Sequence, residues 1–384
     1  MKTMWIYILE CSDKTLYTGV TNNLERRIHE HNSGEISGFT SKRLPVKLVY
    51  SCEFTDPKTA IEREKQIKKW SHDKKKALIE NDFVCGYGDS PGFGSLETVA
   101  KKAGLYAPLK NLKIEKADFN GKQEVSYPKA LQNRQFTLAK GVFHFDAILS
   151  LPKWKTHGLT RITGAVKNQF GCIPGLLKGE FHFKLPDVLH FSRMLVDLNL
   201  LLKPDFYIMD AIVAMEGNGP RNGRPRFMGL LAFSHDPIAL DATLSRLVRL
   251  DPRMVITCLE GEKGGLGYWQ ENAIELVGDD FSHFYQADFD VQREPMISYR
   301  KEGLLRSFRN FLLSKPIIDF SKCRACGVCI EICPAQPKAL YWKEKNRIPQ
   351  HHYAYCIRCY CCQELCPHGA IRIKTPSIGK LLKR

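Results

Sequence analysis

Cys323-Arg-Ala-Cys326-Gly-Val-Cys329-Ile-Glu-Ile-Cys333-Pro334 and Cys356-Ile-Arg-Cys359-Tyr-Cys361-Cys362-Gln-Glu-Leu-Cys366-Pro367 carry the same spacing, C-x2-C-x2-C-x3-C-P. Two-residue spacers let one turning loop aim three thiolates at a single cuboidal cluster, while the fourth cysteine opens a short helix. Zinc also uses paired C-x2-C motifs, but it needs only four ligands, and eight in two Pro-ended quartets suit two [4Fe–4S] clusters better. Of the chain's 14 cysteines, nine fall within Cys323–Cys366. Crowding at that spacing favours metal ligation in a reducing compartment over disulfides. Cys361 fits neither quartet and reads as a bystander.

The run resembles that of bacterial two-cluster ferredoxins. The resemblance implies a ferredoxin-like two-cluster fold and its ligand sets: Cys323, Cys326, Cys329 and Cys366 for one cluster, Cys356, Cys359, Cys362 and Cys333 for the other. It implies electron transfer, with a redox partner that the sequence leaves unknown. The surrounding tail is basic, with Lys322, Arg324, Arg358, Arg372, Lys374, Lys380, Lys383 and Arg384. Positive charge there favours the reduced clusters and an acidic docking partner.

Outward from this tail, the chain has 384 residues, enough for two or three domains. At 43% hydrophobic and 26% charged residues it has a globular composition. No apolar run approaches the roughly 18 residues of a membrane span. The most apolar stretch, Met194–Leu202, is interrupted by Asp197. The apolar run Trp5–Leu9 is too short for a secretory core, and Glu10 stands where a cleavage site wants a small residue. A cytoplasmic location is expected. The net charge of +16 fits attraction to polyanions as readily as a solvated basic surface. Changes in composition divide the chain into residues 1–82, 83–300, a basic connector 301–315 and the cysteine-rich region 316–384.

In the first segment Trp5-Ile6-Tyr7 is followed by Tyr17-Thr18-Gly19, then Asn23-Leu24-Glu25-Arg26-Arg27, His31, and a helix with Ala60, Glu64 and Ile67. This resembles the GIY-YIG nuclease family, most closely its small standalone members. Trp5 replaces the glycine of the first motif and Thr18 the isoleucine of the second. The resemblance implies a small α+β domain that hydrolyses phosphodiesters, with DNA as the expected partner. Glu64 is expected to hold Mg²⁺, a hard ion that takes few protein carboxylates and keeps several waters. Arg27 is expected to neutralise the scissile phosphate, and Tyr7 to act as general base on water that Tyr17 and His31 position. Each residue also has a plainer role: strand tyrosines, a helical Arg27/His31 pair, and Glu64 as partner of Lys68. Asn22 and Asn23 read as helix caps. Lys65, Lys68, Lys69, Lys74, Lys75 and Lys76 around Trp70 suit phosphate contacts or a solvated helix face.

The middle segment alternates short apolar strands, such as Phe206–Val213 and Met228–Phe233, with amphipathic stretches such as Asp187–Leu202, and this predicts a layered α/β domain. Its signatures are Gly88-Asp89-Ser90-Pro91-Gly92, Pro152-Lys153-Trp154-Lys155-Thr156-His157, Lys167-Asn168-Gln169-Phe170-Gly171, Met209-Asp210-Ala211, Met215-Glu216-Gly217-Asn218-Gly219-Pro220 and Asp236-Pro237-Ile238-Ala239-Leu240-Asp241. Together they resemble the iron–sulfur family called domain of unknown function 362, over residues from about 85 to 300. Relative to that family the chain lacks a leading segment with a first strand, and the nuclease-like region stands in its place. A sheet without its leading strands is expected to expose an edge and apolar faces. The strand from Phe206 is expected to carry Asp210 and then deliver Glu216 into a glycine-rich turn. Lys153, Lys155, His157 and Lys167 are expected to converge near these carboxylates as a substrate site, since open α/β sheets bind ligands at strand ends. Structural pairing of those charges is the alternative. Gly264-Gly265-Leu266-Gly267 lacks the strand–turn–helix context of a nucleotide loop.

Two functions follow. In one, the clusters pass electrons to an unknown reaction in the middle domain. In the other, the chain cleaves or binds nucleic acid, and its clusters are structural or redox-sensing.

Overall fold

A computed structural model of the chain describes residues 3–34, 37–80, 85–91, 94–112, 114–175, 177–294, 313–344 and 347–376. The expected basic connector lies outside the described residues from 301 to 312, as do Lys380, Lys383 and Arg384. The chain forms two compact units, Met1–Gly86 and Tyr87–Arg384.

The first unit is built on an antiparallel sheet in which strand Met4–Glu10 lies between Leu16–Thr21 and Lys47–Phe54. That central strand is buried on both faces, which explains its continuous apolar run. Ile6 and Ile8 pack with Ile67 on one face. Tyr7 and Leu9 pack with Cys11 and Val46 on the other. Helix Leu24–Asn32 starts where the Asn23 side chain accepts from the Arg26 amide at 3.0 Å. Helix Pro57–Lys68 starts at Asp56, which accepts from the Lys58 and Thr59 amides, with proline in the first turn.

In the second unit, the strands run in the order Arg161–Thr163, Lys153–His157, Phe206–Glu216, Arg224–Ser234, and Leu149–Ser150 also pairs with Phe206–Glu216. The sheet is mixed: Lys153–His157 lies parallel to Phe206–Glu216, and the other pairs on that path are antiparallel. Helix Val188–Leu202, capped by Asp187, buries Phe191, Met194, Leu195 and Leu198 in the main core. Asp197, the polar interruption in that apolar stretch, is fully buried. Its carboxylate accepts from the amides of Leu131, Gln132 and Asn133 at 2.7, 2.7 and 2.8 Å, so it anchors a loop whose donors have no other strand to meet. The Asp236–Asp241 signature is also architectural. Asp236 caps helix Pro237–Leu247, and Asp241 accepts from the amides of Ala165 and Val166.

Strand Arg224–Ser234 ends the sheet, and no further strand pairs with it among the described residues. Phe227, Leu231 and Phe233 along it are exposed, as are Ile212, Leu149 and Leu151. The sheet thus has an open edge and exposed apolar side chains among the described residues.

The cysteine-rich region belongs to the same unit. Strand Lys315–Ile318 pairs antiparallel with Ile371–Lys374, and Leu340–Tyr341 with Gln350–His351. Its two sequence copies share one backbone shape. Ala325 and Arg358, each two residues after the first cysteine, are left-handed, as are Gly327 and Tyr360, each four residues after it. Left-handed backbone at alanine, arginine and tyrosine is strained and persists only where the surroundings demand it.

Candidate functional sites

In the first unit the strand and helix motifs meet around one hydroxyl. Tyr7 is buried, and its Oη lies 3.0 Å from His31 Nε2 and accepts from Arg27 Nε at 3.3 Å. Tyr7 pairs across the sheet with Gly19, and a Cβ at Gly19 would stand 2.4 Å from the Tyr7 hydroxyl. The glycine of the second motif is therefore the space in which that hydroxyl sits. Tyr17 packs edge-on to His31 with ring centres 5.0 Å apart. Arg27 is aimed by Glu30, whose carboxylate accepts at 2.9 Å. His31 Nδ1 lies 2.8 Å from the Thr40 hydroxyl. Burial, then the Arg27 charge, lowers the His31 pKa, so the imidazole is neutral at pH 7 and one nitrogen is free to accept. Burial also raises the Tyr7 pKa, partly opposed by the Arg27 hydrogen bond.

Glu64 is brought to the same sheet by helix Pro57–Lys68 and is only 6% exposed. Its carboxylate pairs with Lys68, the plainer role that the sequence allowed. Among the described residues no hydrogen bond or ion pair links it to Tyr7, Arg27 or His31, and no group of three or more His, Cys, Asp or Glu closes around one ion. A single enclosed carboxylate still fits Mg²⁺, which binds through one or two carboxylates and its own waters, provided that the Lys68 ammonium moves aside. Neither Glu30 nor Thr40 was marked by the sequence motifs, although Glu30 lies at the helical i+3 position from Arg27.

In the second unit Cys323, Cys326, Cys329 and Cys366 line one pocket, whose walls also include Ile318 and Ile371. Burial, then the neighbouring Cys366, Cys323 and Cys326, pushes the Cys329 thiol up to about 12. Cys362 is raised by burial and then by Cys359, Cys356, Cys329 and Cys333. Thiols gathered this closely become thiolates together only when cations share their charge. Cys323, Cys326, Cys329 and Cys366 thus share one pocket, and Cys362 lies near Cys356, Cys359 and Cys333, but among the described residues no group of three or more His, Cys, Asp or Glu closes around one ion. The Ala339 and Ala370 amides donate to Cys333 Sγ at 3.4 Å and to Cys366 Sγ at 3.3 Å, and such bonds tune cluster potentials.

The six residues expected to form one substrate site do not come together, and this corrects the sequence reading. Lys153 and Asp210 are register partners on adjacent strands and form an exposed pair at 2.8 Å. Glu216 is the last residue of its strand, not part of the turn. It is satisfied by Arg224 at 3.1 Å and the Asp290 amide at 3.0 Å. The turn after it is instead a socket for the cysteine-rich region. Gln363 Nε2 donates to the Asn218 carbonyl at 3.1 Å and the Gly219 carbonyl at 2.9 Å, while Asn218 Nδ2 donates to the Ile371 carbonyl at 3.1 Å. Asn222 Nδ2 donates to the Cys366 carbonyl at 3.1 Å. A Cβ at Gly158 would stand 2.4 Å from Ile373, so the glycine permits close docking there as well.

Lys155, His157 and Lys167 do gather, around Glu364 of the short helix Cys361–Glu364. His157 Nδ1 accepts from the amides of Leu159 and Thr160 at 3.0 and 3.2 Å, which puts its proton on Nε2. Nε2 faces Glu364 Oε1 at 2.9 Å. Burial, despite Glu364, lowers the His157 pKa to about 4. The Glu364 carboxyl is held at about 2, where His157, Lys167 and His182 overcome the burial that would raise it. Glu364, His182 and Lys178 were missed in the sequence because nothing in a C-x3-C spacer or a distant helix marks a partner for His157.

Three families match the chain in succession: the GIY-YIG catalytic domain over residues 3–77, the Domain of unknown function (DUF362) over 80–246, and the 4Fe-4S dicluster domain over 322–370. The thylakoid-associated protein sll1697 of Synechocystis is 38% identical over 180 residues, 47% of this chain. The chain spans only 56% of that relative's length. The UPF0213 protein NP_0776A of Natronomonas pharaonis is 44% identical over 78 residues, 20% of this chain and 92% of the relative. The solution NMR structure of a UPF0213 protein from Bacillus halodurans is 37% identical, covering 21% of this chain and 84% of that one, with a TM-score of 0.15. The chain therefore belongs through its N-terminal region to the GIY-YIG family in its UPF0213 form, and joins that domain to a DUF362 region and a 4Fe-4S dicluster domain.

Proposed function

We propose that the second unit is a redox protein that binds two [4Fe–4S] clusters and exchanges electrons with a reaction in its α/β region. The supporting observation is the docking of helix Cys361–Glu364, which lies between the expected ligands Cys359 and Cys366 and places Glu364 against His157 in the α/β sheet. The clusters supply one-electron transfer when bound. Cys323, Cys326, Cys329 and Cys366 would hold one, and Cys356, Cys359, Cys362 and Cys333 the other. Gln363, Asn218 and Asn222 fix the ligand loop against the sheet, and Glu364 keeps its charge inside the interface. Nine closely spaced cysteines suit the reducing cytoplasm. No helix among the described residues is long and apolar enough to cross a membrane. The test is iron and sulfide content with electron paramagnetic resonance of the reduced chain. Two interacting signals are expected, with one lost in Cys326→Ser and the other in Cys359→Ser; a single mononuclear metal would sink the reading.

A second activity is supported by its own observation, the Tyr7 hydroxyl held between His31 and Arg27. We read the first unit as a divalent-metal-dependent endonuclease. Tyr7 would pass its own proton to neutral His31 as it takes one from the attacking water, Arg27 receives the phosphate charge, and Glu64 would hold Mg²⁺, which would stabilise the leaving oxygen. Nicking of plasmid DNA that needs Mg²⁺ and disappears in Glu64→Ala is the expected result. Strongly salt-dependent binding without nicking would reduce the unit to a nucleic-acid-binding domain.

A further inference from the structure

Residues 37–44 precede strand Lys47–Phe54 and bring one buried hydroxyl to the site of the first unit. Thr40 is 2% exposed, and its Oγ1 lies 2.8 Å from His31 Nδ1. Arg43 ties this loop to the hairpin of the first two strands. Its Nε donates to Asp13 Oδ2 at 2.9 Å and its Nη1 to the Phe39 carbonyl at 2.7 Å, while its amide donates to the Thr40 carbonyl at 2.9 Å. The Arg43 guanidinium also lies 4.2 Å from the centre of the Phe39 ring, which stacks on Tyr17 with ring centres 6.2 Å apart. Thr40 is therefore fixed through both of its neighbourhoods in the chain, and its hydroxyl stays on His31.

Arg27, Tyr7, His31 and Thr40 then form one row of polar contacts. A guanidinium only donates, so the Tyr7 oxygen accepts from Arg27 Nε, at 3.3 Å. On its other side Tyr7 Oη meets His31 Nε2 at 3.0 Å. A neutral imidazole has one donor and one acceptor nitrogen. With the hydrogen on Nε2, the Tyr7 oxygen would receive two donors, and its own proton would have no acceptor among the described residues. With the hydrogen on Nδ1, every contact pairs a donor with an acceptor: Arg27 to Tyr7, Tyr7 to His31, His31 to Thr40. The proton left over is then that of Thr40, whose hydroxyl rotates more freely than a phenol held near its ring plane. The Arg27 charge on the Tyr7 side also favours a lone pair over an N–H there.

We propose that Thr40 is a positioning residue, whose hydroxyl accepts from His31 Nδ1–H and thereby keeps Nε2 unprotonated toward Tyr7. The proposal rests on the reading of the first unit as an endonuclease and deepens it. As Tyr7 takes a proton from the attacking water, its own proton passes to the Nε2 lone pair. The net change is one proton moved from water to imidazole, which leaves hydroxide to attack the phosphate and His31 as imidazolium, still bonded to Thr40. In the other tautomer Nε2 has no lone pair to receive that proton. A hydrogen bond at one ring nitrogen thus sets the role of the other.

The test is nitrogen–proton correlation spectroscopy of the full chain at about pH 7, with nitrogen-15 in its histidines and its clusters oxidised, beside the kinetics of Mg²⁺-dependent plasmid nicking. The His31 signals are those lost in His31→Gln. The wild type is expected to carry hydrogen on Nδ1 and a bare Nε2. Thr40→Val keeps the shape and drops the hydroxyl; it should mix the two tautomers and lower kcat about fivefold to tenfold, the scale of one hydrogen bond, with KM for DNA unchanged. Thr40→Ser should restore both readouts. Ser41→Ala removes a hydroxyl bonded to Gly38 in the same loop and should change neither. Hydrogen on Nε2 in the wild type overturns the proposal, as does Thr40→Val with tautomer and rate unchanged. Equal losses in Thr40→Val and Ser41→Ala also overturn it, because the loop and not the Thr40 hydroxyl would then matter. If Thr40→Val does not fold, the wild-type tautomer and the rate of Thr40→Ser decide. A chain that nicks with hydrogen on Nε2 sinks this proposal alone, whereas a chain that never nicks but carries hydrogen on Nδ1 sinks the nuclease reading and supports the Thr40 contact.

Discussion

The two units make their sites in opposite ways. The first draws Tyr7, Tyr17, Arg27 and His31 from a span of 25 residues, on a hairpin and the helix that follows it. The second joins Lys155, His157, Lys167 and His182 to Glu364, with Lys155 and Glu364 more than 200 residues apart. A site built from neighbours along the chain leaves its spacing in the sequence. A site closed by the docking of one region on another leaves only isolated residues, and the partner appears once the chain has folded.

The contrast can be broken most forcefully at the cysteines. Cys359→Ser should remove one cluster, about half of the bound iron, and loosen the docked helix Cys361–Glu364, while Mg²⁺-dependent nicking by the first unit is retained. Iron analysis beside a nicking assay reads both, and loss of nicking would show that the two sites are not independent. Tyr7→Phe should lower nicking by about 10²–10⁴-fold, the usual worth of a general base, with cluster absorbance unchanged. Normal nicking in Tyr7→Phe would remove the tyrosine from the mechanism and leave its contacts structural.

Smaller effects sharpen the same comparison. Gly19→Ala places a methyl where the Tyr7 hydroxyl sits and should destabilise the first unit by about 1–3 kcal/mol, seen as a shift in its own thermal transition. Gln363→Ala removes the donors to Asn218 and Gly219 and should cost the second unit about 1–3 kcal/mol, leaving iron content intact. If both substitutions moved a single common transition, the two units would be folding as one.

The smallest expected effect is a pH dependence. Folding lowers the His31 pKa below its ordinary value, so the unfolded chain takes up the proton first. The stabilisation is complete above about 6.5 and is lost as pH falls toward the folded pKa. Protonation would also turn the His31 nitrogen facing Tyr7 from acceptor to donor, so nicking should decline over the same acidic range. A flat pH profile from pH 7 to 5 in both stability and nicking would remove His31 from that role.

Much of this was legible in the residues. The tyrosine motifs, Arg27 and His31 were marked by order and spacing, and the structure brings them together around the Tyr7 hydroxyl. Asp187–Leu202 was recognisable as an amphipathic helix, and Asp187 caps it. The cysteine spacing also pointed to the iron–sulfur character that the 4Fe-4S dicluster match over residues 322–370 supports. The reading of Glu216 failed for a local reason: strand pairing with Arg224–Ser234 continues through it, and Arg224 and the Asp290 amide satisfy its carboxylate. The glycine-rich turn beyond it was noticed, but its glycine, asparagine and proline could not say that they receive Gln363.

By itself the sequence determined the cysteine spacing, the tyrosine–arginine–histidine order and the alternation of strands and helices, all properties of residues close together in the chain. Only the tertiary structure decided that Asp197 holds a loop, that Lys153 pairs with Asp210, and that Glu364 closes on His157. Those outcomes depend on which surfaces meet and which charges lose their water, and neither is written in the spacing of residues along a chain.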